Sequence, residues 1–207
     1  MSKKLALIGG GGHALSLLDI LPSPLMAAGY VDFTAKPDMP VPYLCDDKTF
    51  IESFSPDEWE IMVTFVSGPS CELAGRRRII ESYRHFGAPA VIAPSAITSP
   101  SSTIGGGTAV FHRAVVNAGT SIGRHCVINT GAIIEHDCHI GDNVFIGPGA
   151  IICGGVRIGD NSYISAGTII IPGIRICDGC VTGAGATVVK NLSQPGTYVG
   201  VPARRIK

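Results

Sequence analysis

The stretch Ile128-Asn129-Thr130-Gly131-Ala132-Ile133-Ile134-Glu135-His136-Asp137-Cys138-His139-Ile140 sets Ile128, Ile134 and Ile140 six residues apart. Outward in both directions the interval holds without a break. Ile104, Val110, Val116 and Ile122 on one side and Ile146, Ile152, Ile158, Ile164, Ile170 and Ile176 on the other complete thirteen aliphatic residues in one phase, and Thr182 and Val188 continue it. Four residues after each comes a mostly small side chain, as in Thr108, Ala114, Thr120, Cys126, Ala132, Cys138, Ala150, Ser162, Thr168, Cys180 and Ala186, with Val144, Val156 and Ile174 as larger members. An interval of six belongs neither to a helix, at about 3.6, nor to a strand, at about 2. It predicts a solenoid in which each hexamer supplies one short strand and one turn. Three hexamers then close a triangular coil of eighteen residues, with the aliphatic side chain inside and the small one near a corner. One coil cannot bury its own apolar face, so residues 104–190 are expected to stack as about five coils.

The first 92 residues have another rhythm. Lys4 to Ile8 reads as a buried strand, Gly9-Gly10-Gly11-Gly12-His13 as a tight turn, and Ala14 to Leu21 as a helix. Gly29 to Phe33 and Ile61 to Val66 read as further strands, Glu72 to Phe86 as a helix with Arg76, Arg77 and Arg78, and Pro89 to Ile92 as a last strand. Strands alternating with helices imply a short parallel sheet of Rossmann-like α/β type. The expected division is therefore 1–92, an α/β nucleotide- or sugar-binding domain, and 93–207, an all-β domain with a C-terminal tail. Gly9, Gly11 and Ala14 fit G-x-G-x-x-A after a strand, with Asp32 at the distance of a ribose-binding acid. The motif alone is equally the signature of a tight turn without a ligand. The domain is too short for both halves of a dinucleotide fold, which favours a mononucleotide or nucleotide-sugar over NAD.

Sixteen Lys and Arg balance sixteen Asp and Glu, so no overall field gathers nucleic acid or an anionic membrane. No run approaches the ~20 apolar residues of a spanning helix, and the start does not read as a signal peptide, so a cytoplasmic protein is expected. Seven cysteines in such a chain fit reduced thiols. Cys126, Cys138 and Cys180 fall on the small inward phase and Cys177 follows an aliphatic position, which makes packing the simpler account of the Cys177-Asp178-Gly179-Cys180 spacing and disfavours Cys138 as a nucleophile.

Within the coils, Glu135-His136-Asp137-Cys138-His139 gathers titratable groups. His136 lies two residues beyond the inward Ile134 and is expected at a corner, facing out. There it is either a general base, with Asp137 fixing its tautomer, or an ordinary surface histidine.

Gly9-Gly10-Gly11-Gly12-His13-Ala14, Asn129 to Cys138 and Gly200-Val201-Pro202-Ala203 together resemble the sialic acid O-acetyltransferase and bacillosamine-pathway N-acetyltransferase family of hexapeptide-repeat acyltransferases, over essentially the whole chain. The resemblance implies a left-handed parallel β-helix, acetyl-CoA as co-substrate, no metal, and a sugar or nucleotide-sugar acceptor. It implies a homotrimer with the coenzyme between neighbouring subunits. By the same resemblance His136 is the base and Asp137 its partner, Asn129 lies near the reaction centre and the Gly154 N–H meets the thioester oxygen. Ala166 and Ala184 would line the coenzyme groove, and Gly10, Gly11, Gly12, His13 and Asp32 would meet the acceptor. Two departures stand out. Phe145 occupies the place of a second histidine that relatives carry nine residues after the base, and Val66-Ser67-Gly68-Pro69-Ser70-Cys71 lacks their glycine-asparagine pattern. The expected reaction is N-acetylation of a nucleotide-linked amino sugar, with O-acetylation of a sialic acid or related sugar as the alternative. A zinc hydrolyase would need His125, His136 and His139 to converge, which their phases oppose. A noncatalytic binding module is the remaining rival.

Overall fold

The computed structural model describes residues 3–66 and 73–207. The chain opens with strand β1 (Lys4–Ile8), helix α1 (Gly12–Leu18), strand β2 (Ala27–Val31), strand β3 (Tyr43–Cys45), helix α2 (Asp47–Ser53), strand β4 (Trp59–Val63) and helix α3 (Ala74–Ser82). The four strands form one sheet in the order β3-β2-β1-β4, and every pairing is parallel. Strand β1 is buried along Leu5 to Ile8, as a central parallel strand covered on both sides must be. On one side, Phe50, Phe54, Trp59, Tyr83 and Phe86 form an aromatic cluster with Ala6, Ile8 and Ile61.

The helices are shorter than the sequence predicts: α1 stops at Leu18 and α3 spans Ala74–Ser82. Strand β3 and helix α2 are additional. Helix α2 begins at Asp46, whose carboxylate accepts from the Thr49 N–H at 2.8 Å, the usual side-chain cap. The strand expected at Pro89–Ile92 does not join this sheet. Val91–Ile92 pairs instead with Ala109–Val110, so the coils start ahead of residue 93.

From there the chain is a left-handed parallel β-helix of two-residue strands stacked at a register of eighteen residues, as in Ile133↔Ile151↔Ile169. Its three sides are three sheets. The front sheet carries Val127–Ile128, Phe145–Ile146 and Tyr163–Ile164; the aliphatic sheet carries Val115–Val116, Ile133–Ile134 and Ile151–Ile152; the basic sheet carries Ser121–Ile122, His139–Ile140, Arg157–Ile158 and Arg175–Ile176. The six-residue phase is the interior: Val110, Ile128, Ile134, Ile146, Ile152, Ile164 and Ile170 are fully buried in one continuous core. The small phase is inward too, and it does polar work. Thr108 Oγ1 donates to Gly123 O (2.8 Å), Thr120 Oγ1 to Glu135 O (2.7 Å) and Ser162 Oγ to Cys177 O (3.2 Å), each reaching fifteen residues along. Cys126 and Cys138 repeat the gesture with their thiols, to Gly141 O and Cys153 O at 3.0 and 3.2 Å. Burial pushes the Cys126 thiol up to about 12, so it packs as a neutral group.

The front sheet's outer face is covered by the α/β unit, with Val127 and Phe145 in the same core as Leu5, Leu7, Ala14 and Leu17. A second fastening is polar. Arg76 of α3 is 2% exposed, and its guanidinium donates to Val63 O (3.3 Å), Phe65 O (2.9 Å), His125 O and Asn143 Oδ1. No carboxylate among the described residues pairs with it, and burial lowers its pKa to about 10, so it remains a cation held by carbonyl dipoles. Among the described residues no helix is long and apolar enough to cross a membrane.

Candidate active site at the edges of the aliphatic sheet

Every corner of the solenoid is a turn, and the turn between Ile134 and His139 carries the titratable cluster. Asp137 sits there at φ 58°, in the left-handed region, while one coil away on either side Gly119 and Gly155 take φ 69°. An aspartate tolerates this conformation better than most residues, though at a cost glycine avoids. The twist brings its Oδ2 to 2.8 Å from His136 Nδ1. Hydrogen bonding to Asp137, reinforced by the charges of Asp137 and Glu135, raises the His136 pKa above its ordinary value of 6.5. The pair leaves Nε2 as the free nitrogen, and both side chains are exposed, at 63% and 72%.

One coil further, at 136 plus eighteen, stands Gly154. A Cβ there would lie 2.7 Å from His136 Nε2, so the imidazole rests against a residue that must lack a side chain. A Cβ on Gly119, on the opposite side, would meet Asp137 Oδ1 at 2.6 Å. The Gly154 N–H makes no hydrogen bond among the described residues, whereas its carbonyl accepts from Gly173 N at 3.0 Å. A general base, its orienting acid and an uncommitted amide thus share one corner, the minimum set for acyl transfer to a nucleophile.

The remaining candidates lie elsewhere. Asn129 follows the front-sheet strand Val127–Ile128, and Ala166 and Ala184 occupy the same corner in later coils, both exposed. His13 is on that side as well, its ring 5.0 Å from that of Phe111, one coil before Asn129. Strand Ile133–Ile134 separates Asn129 from His136, so the two sets flank opposite edges of the aliphatic sheet. Between them runs an outward row of Ile97, Val115, Ile133, Ile151 and Ile169, with Ile97 65% and Ile169 39% exposed.

Burial, and then the charge of Arg76, depresses His13 to about 4, so its imidazole is neutral near pH 7. Gly10 is buried against the Tyr30 ring, which a Cβ would strike at 2.6 Å, whereas Gly11 and Gly12 face open space. Asp32 accepts from Gly10 N (2.9 Å) through Oδ2 and from Phe33 N (2.7 Å) through Oδ1, with Lys36 Nζ 3.6 Å from Oδ1. It anchors the glycine turn, and each oxygen retains a lone pair for a ligand hydroxyl.

Phe145 is 7% exposed and stacks on Tyr163, ring centroids 4.4 Å apart, within the packing of the α/β unit on the coils. Its loss of the relatives' polar group is explained by that apolar setting. The departure at residues 67–71 lies outside the described residues. His125 sits at the corner leading into Val127–Ile128, His136 at the corner leading into His139–Ile140, and no cluster of three His, Cys, Asp or Glu suited to a metal occurs among the described residues. Gly119, Phe111 and Arg76 belong to the site's frame and were not singled out by sequence reasoning as such. Subtracting eighteen from Asp137 finds Gly119, but nothing in the pattern finds Arg76.

The model of the bacterial transferase hexapeptide (six repeats) family matches residues 137–170 and 155–190. None of the curated proteins compared matches the chain. Among solved structures, the acetyltransferase domain of PglB from Neisseria gonorrhoeae FA1090 in complex with acetyl coenzyme A is 31% identical, with a TM-score of 0.89 and coverage of 100% of each chain. The same domain without that ligand in its description is 32% identical, with a TM-score of 0.89, covering 99% of this chain and 100% of that one. PerB from Caulobacter crescentus, in complex with CoA and GDP-perosamine, is 32% identical with a TM-score of 0.85, covering 99% and 97%. With its coils, its histidine corner and likeness over full length, the chain belongs to the acetyl-CoA-dependent sugar acetyltransferases of the sialic acid O-acetyltransferase and bacillosamine-pathway family.

Proposed function

We propose that the chain transfers the acetyl group of acetyl-CoA to the amine of a nucleotide-linked amino sugar, in one direct step and with His136 as general base. The observation that carries this reading is the His136–Asp137 pair set against Gly154, with Nε2 free and the Gly154 N–H uncommitted. As the acceptor nitrogen bonds to the acetyl carbon, Nε2 takes its proton, and Asp137 stabilises the imidazolium that forms. The Gly154 N–H donates to the developing oxyanion. Acetyl-CoA supplies the activated acyl group, and its sulfur leaves as a thiol. No covalent enzyme intermediate is required.

The working unit in this reading is a homotrimer. The base lies at one edge of the aliphatic sheet, while Asn129, Ala166, Ala184 and the Gly10-Gly11-Gly12-His13 turn belong to the other. Two copies laid edge to edge bring the sets together, and the outward row of Ile and Val is the surface that such contact removes from water. His13 and Asp32 then meet the acceptor's sugar and ribose. Free thiols and use of acetyl-CoA fit a cytoplasmic site of action.

The test is thiol release from acetyl-CoA with a panel of nucleotide amino sugars, CMP-sialic acid and free sialic acid. Turnover on an amino sugar is expected. Turnover confined to the sialic acids makes the reaction O-acetylation, and none on the full panel despite acceptor binding makes the chain a binding module. His136→Ala is expected to lower kcat by about 10²-fold or more with folding intact, because the side chain is on the surface.

A further inference from the structure

The α/β unit has a cleft that the acetyl-transfer corner leaves unused. The strand order β3-β2-β1-β4 reverses direction about β1, and in open parallel sheets ligands sit beyond the carboxyl ends of strands at such a point. There the structure has a cavity of about 330 Å³, within the size range of small-ligand sites. Two of its walls are aromatic: Phe33 just after β2, 84% exposed, and Phe65 just after β4, 44% exposed. An aromatic side chain left that open in a chain with a well-formed core calls for a partner with a flat face. Phe65 is carried on backbone held by Arg76, whose Nε donates to its carbonyl at 2.9 Å, so the ring has a fixed mount.

The polar groups of the cleft select among flat partners. Asp47, the first residue of α2, faces the cavity with one carboxylate oxygen accepting from Tyr83 Oη at 2.7 Å and the other free. Arg78 of α3 also lines it and makes no hydrogen bond or ion pair among the described residues. Guanine is the base that presents both complements: two adjacent donors, N1–H and the 2-amino group, for a carboxylate, and two adjacent acceptors, O6 and N7, for a guanidinium. Uracil and thymine offer one donor between two acceptors, and adenine pairs a donor with an acceptor on that edge. Asp32, in the same cavity, is the acid within reach of a ribose.

We propose that this cleft is a guanine-nucleotide subsite in which Phe33 and Phe65 stack on the base, Asp47 takes its donor edge and Arg78 its acceptor edge. It rests on the reading of the acceptor as a nucleotide-linked sugar, and adds which nucleotide and by which residues.

Isothermal titration of the full-length protein with GDP, IDP, ADP and UDP tests it. GDP is expected to bind at least tenfold tighter than UDP or ADP. IDP, which lacks the 2-amino donor, is expected to fall about tenfold below GDP. Phe33→Ala, at a solvent-facing position where folding is not at stake, is expected to weaken GDP about tenfold or more through lost stacking. Asp47→Asn is expected to erase the GDP-over-IDP preference while leaving GDP binding measurable; Asp47→Glu, which keeps the carboxylate, retains it. Equal affinities for GDP and UDP, or a GDP preference untouched by Asp47→Asn, overturns the proposal. The two readings fail separately: brisk acetylation of a uridine-linked amino sugar without GDP binding sinks the subsite alone. An Asp47-dependent GDP preference with no transfer to any amino sugar sinks the transferase reading alone.

Discussion

His136 accepts a proton only when neutral, and Asp137 raises its pKa above 6.5. The acid limb of kcat against pH therefore lies above the value for an isolated imidazole, with turnover lost as pH falls through it. Asp137→Asn is expected to move that limb to lower pH and to reduce the plateau, by less than His136→Ala does; a limb that stays put separates Asp137 from the base. Asparagine is the informative replacement because it accepts the φ of 58° that alanine resists, so backbone strain does not enter the comparison. Gly154 permits an equally clean test. The methyl of Gly154→Ala would fall 2.7 Å from Nε2 and displace an exposed ring, so kcat is expected to drop about tenfold or more with Tm nearly unchanged. Retained turnover would mean the imidazole acts from another position.

Along a single strand, inward and outward side chains have opposite consequences. Ile146, stacked between Ile128 and Ile164 and wholly buried, is expected to cost about 2–5 kcal/mol when cut to alanine, read from urea unfolding. An acid at Ile133 or Ile151, on the outer aliphatic row, is expected to leave each coil folded and to separate the subunits, read by light scattering. The coils were legible because one rule, repeated at six residues, governs every strand, and the same phase put His136 on a corner. The α/β unit was read less well for a physical reason. Its three-residue β3 and seven-residue α2 are held by one cap at Asp46 and by Phe50 in an aromatic cluster drawn from distant segments. Short-range patterning does not record such contacts. Val91–Ile92 was given to the wrong sheet because two apolar residues after a helix fit either neighbour, and pairing with Ala109–Val110 decides between them. Asp32 was read as a free ribose ligand, whereas its bonds to Gly10 and Phe33 make it first an anchor of the glycine turn.

For the whole molecule, the separation of the two residue sets by the aliphatic sheet makes subunit mixing decisive. His136→Ala spoils one edge of a subunit, and a bulky Ala166→Trp, at an exposed position, spoils the other. Each variant alone is expected to be inactive as a homotrimer. Closed rings containing both have one seam in which neither lesion falls, so about a third of normal activity per mixed trimer is expected after co-folding. A mixture as inactive as its components would mean that each chain works alone.

The eighteen-residue register also graduates the molecule. Neighbouring strands stand about 4.8 Å apart, so each coil is one notch on a ruler laid along the solenoid, with His136 and Gly154 on successive marks. Adding or deleting one full notch beyond Gly154 keeps every side chain on its own face and changes only how far an elongated ligand can stretch past the reacting corner. An insertion of six rotates all that follows onto the next face. Length changes in this lineage should accordingly be quantised in whole turns of the solenoid, and the reach toward the tail of a long co-substrate can be reset without touching the chemistry at its head.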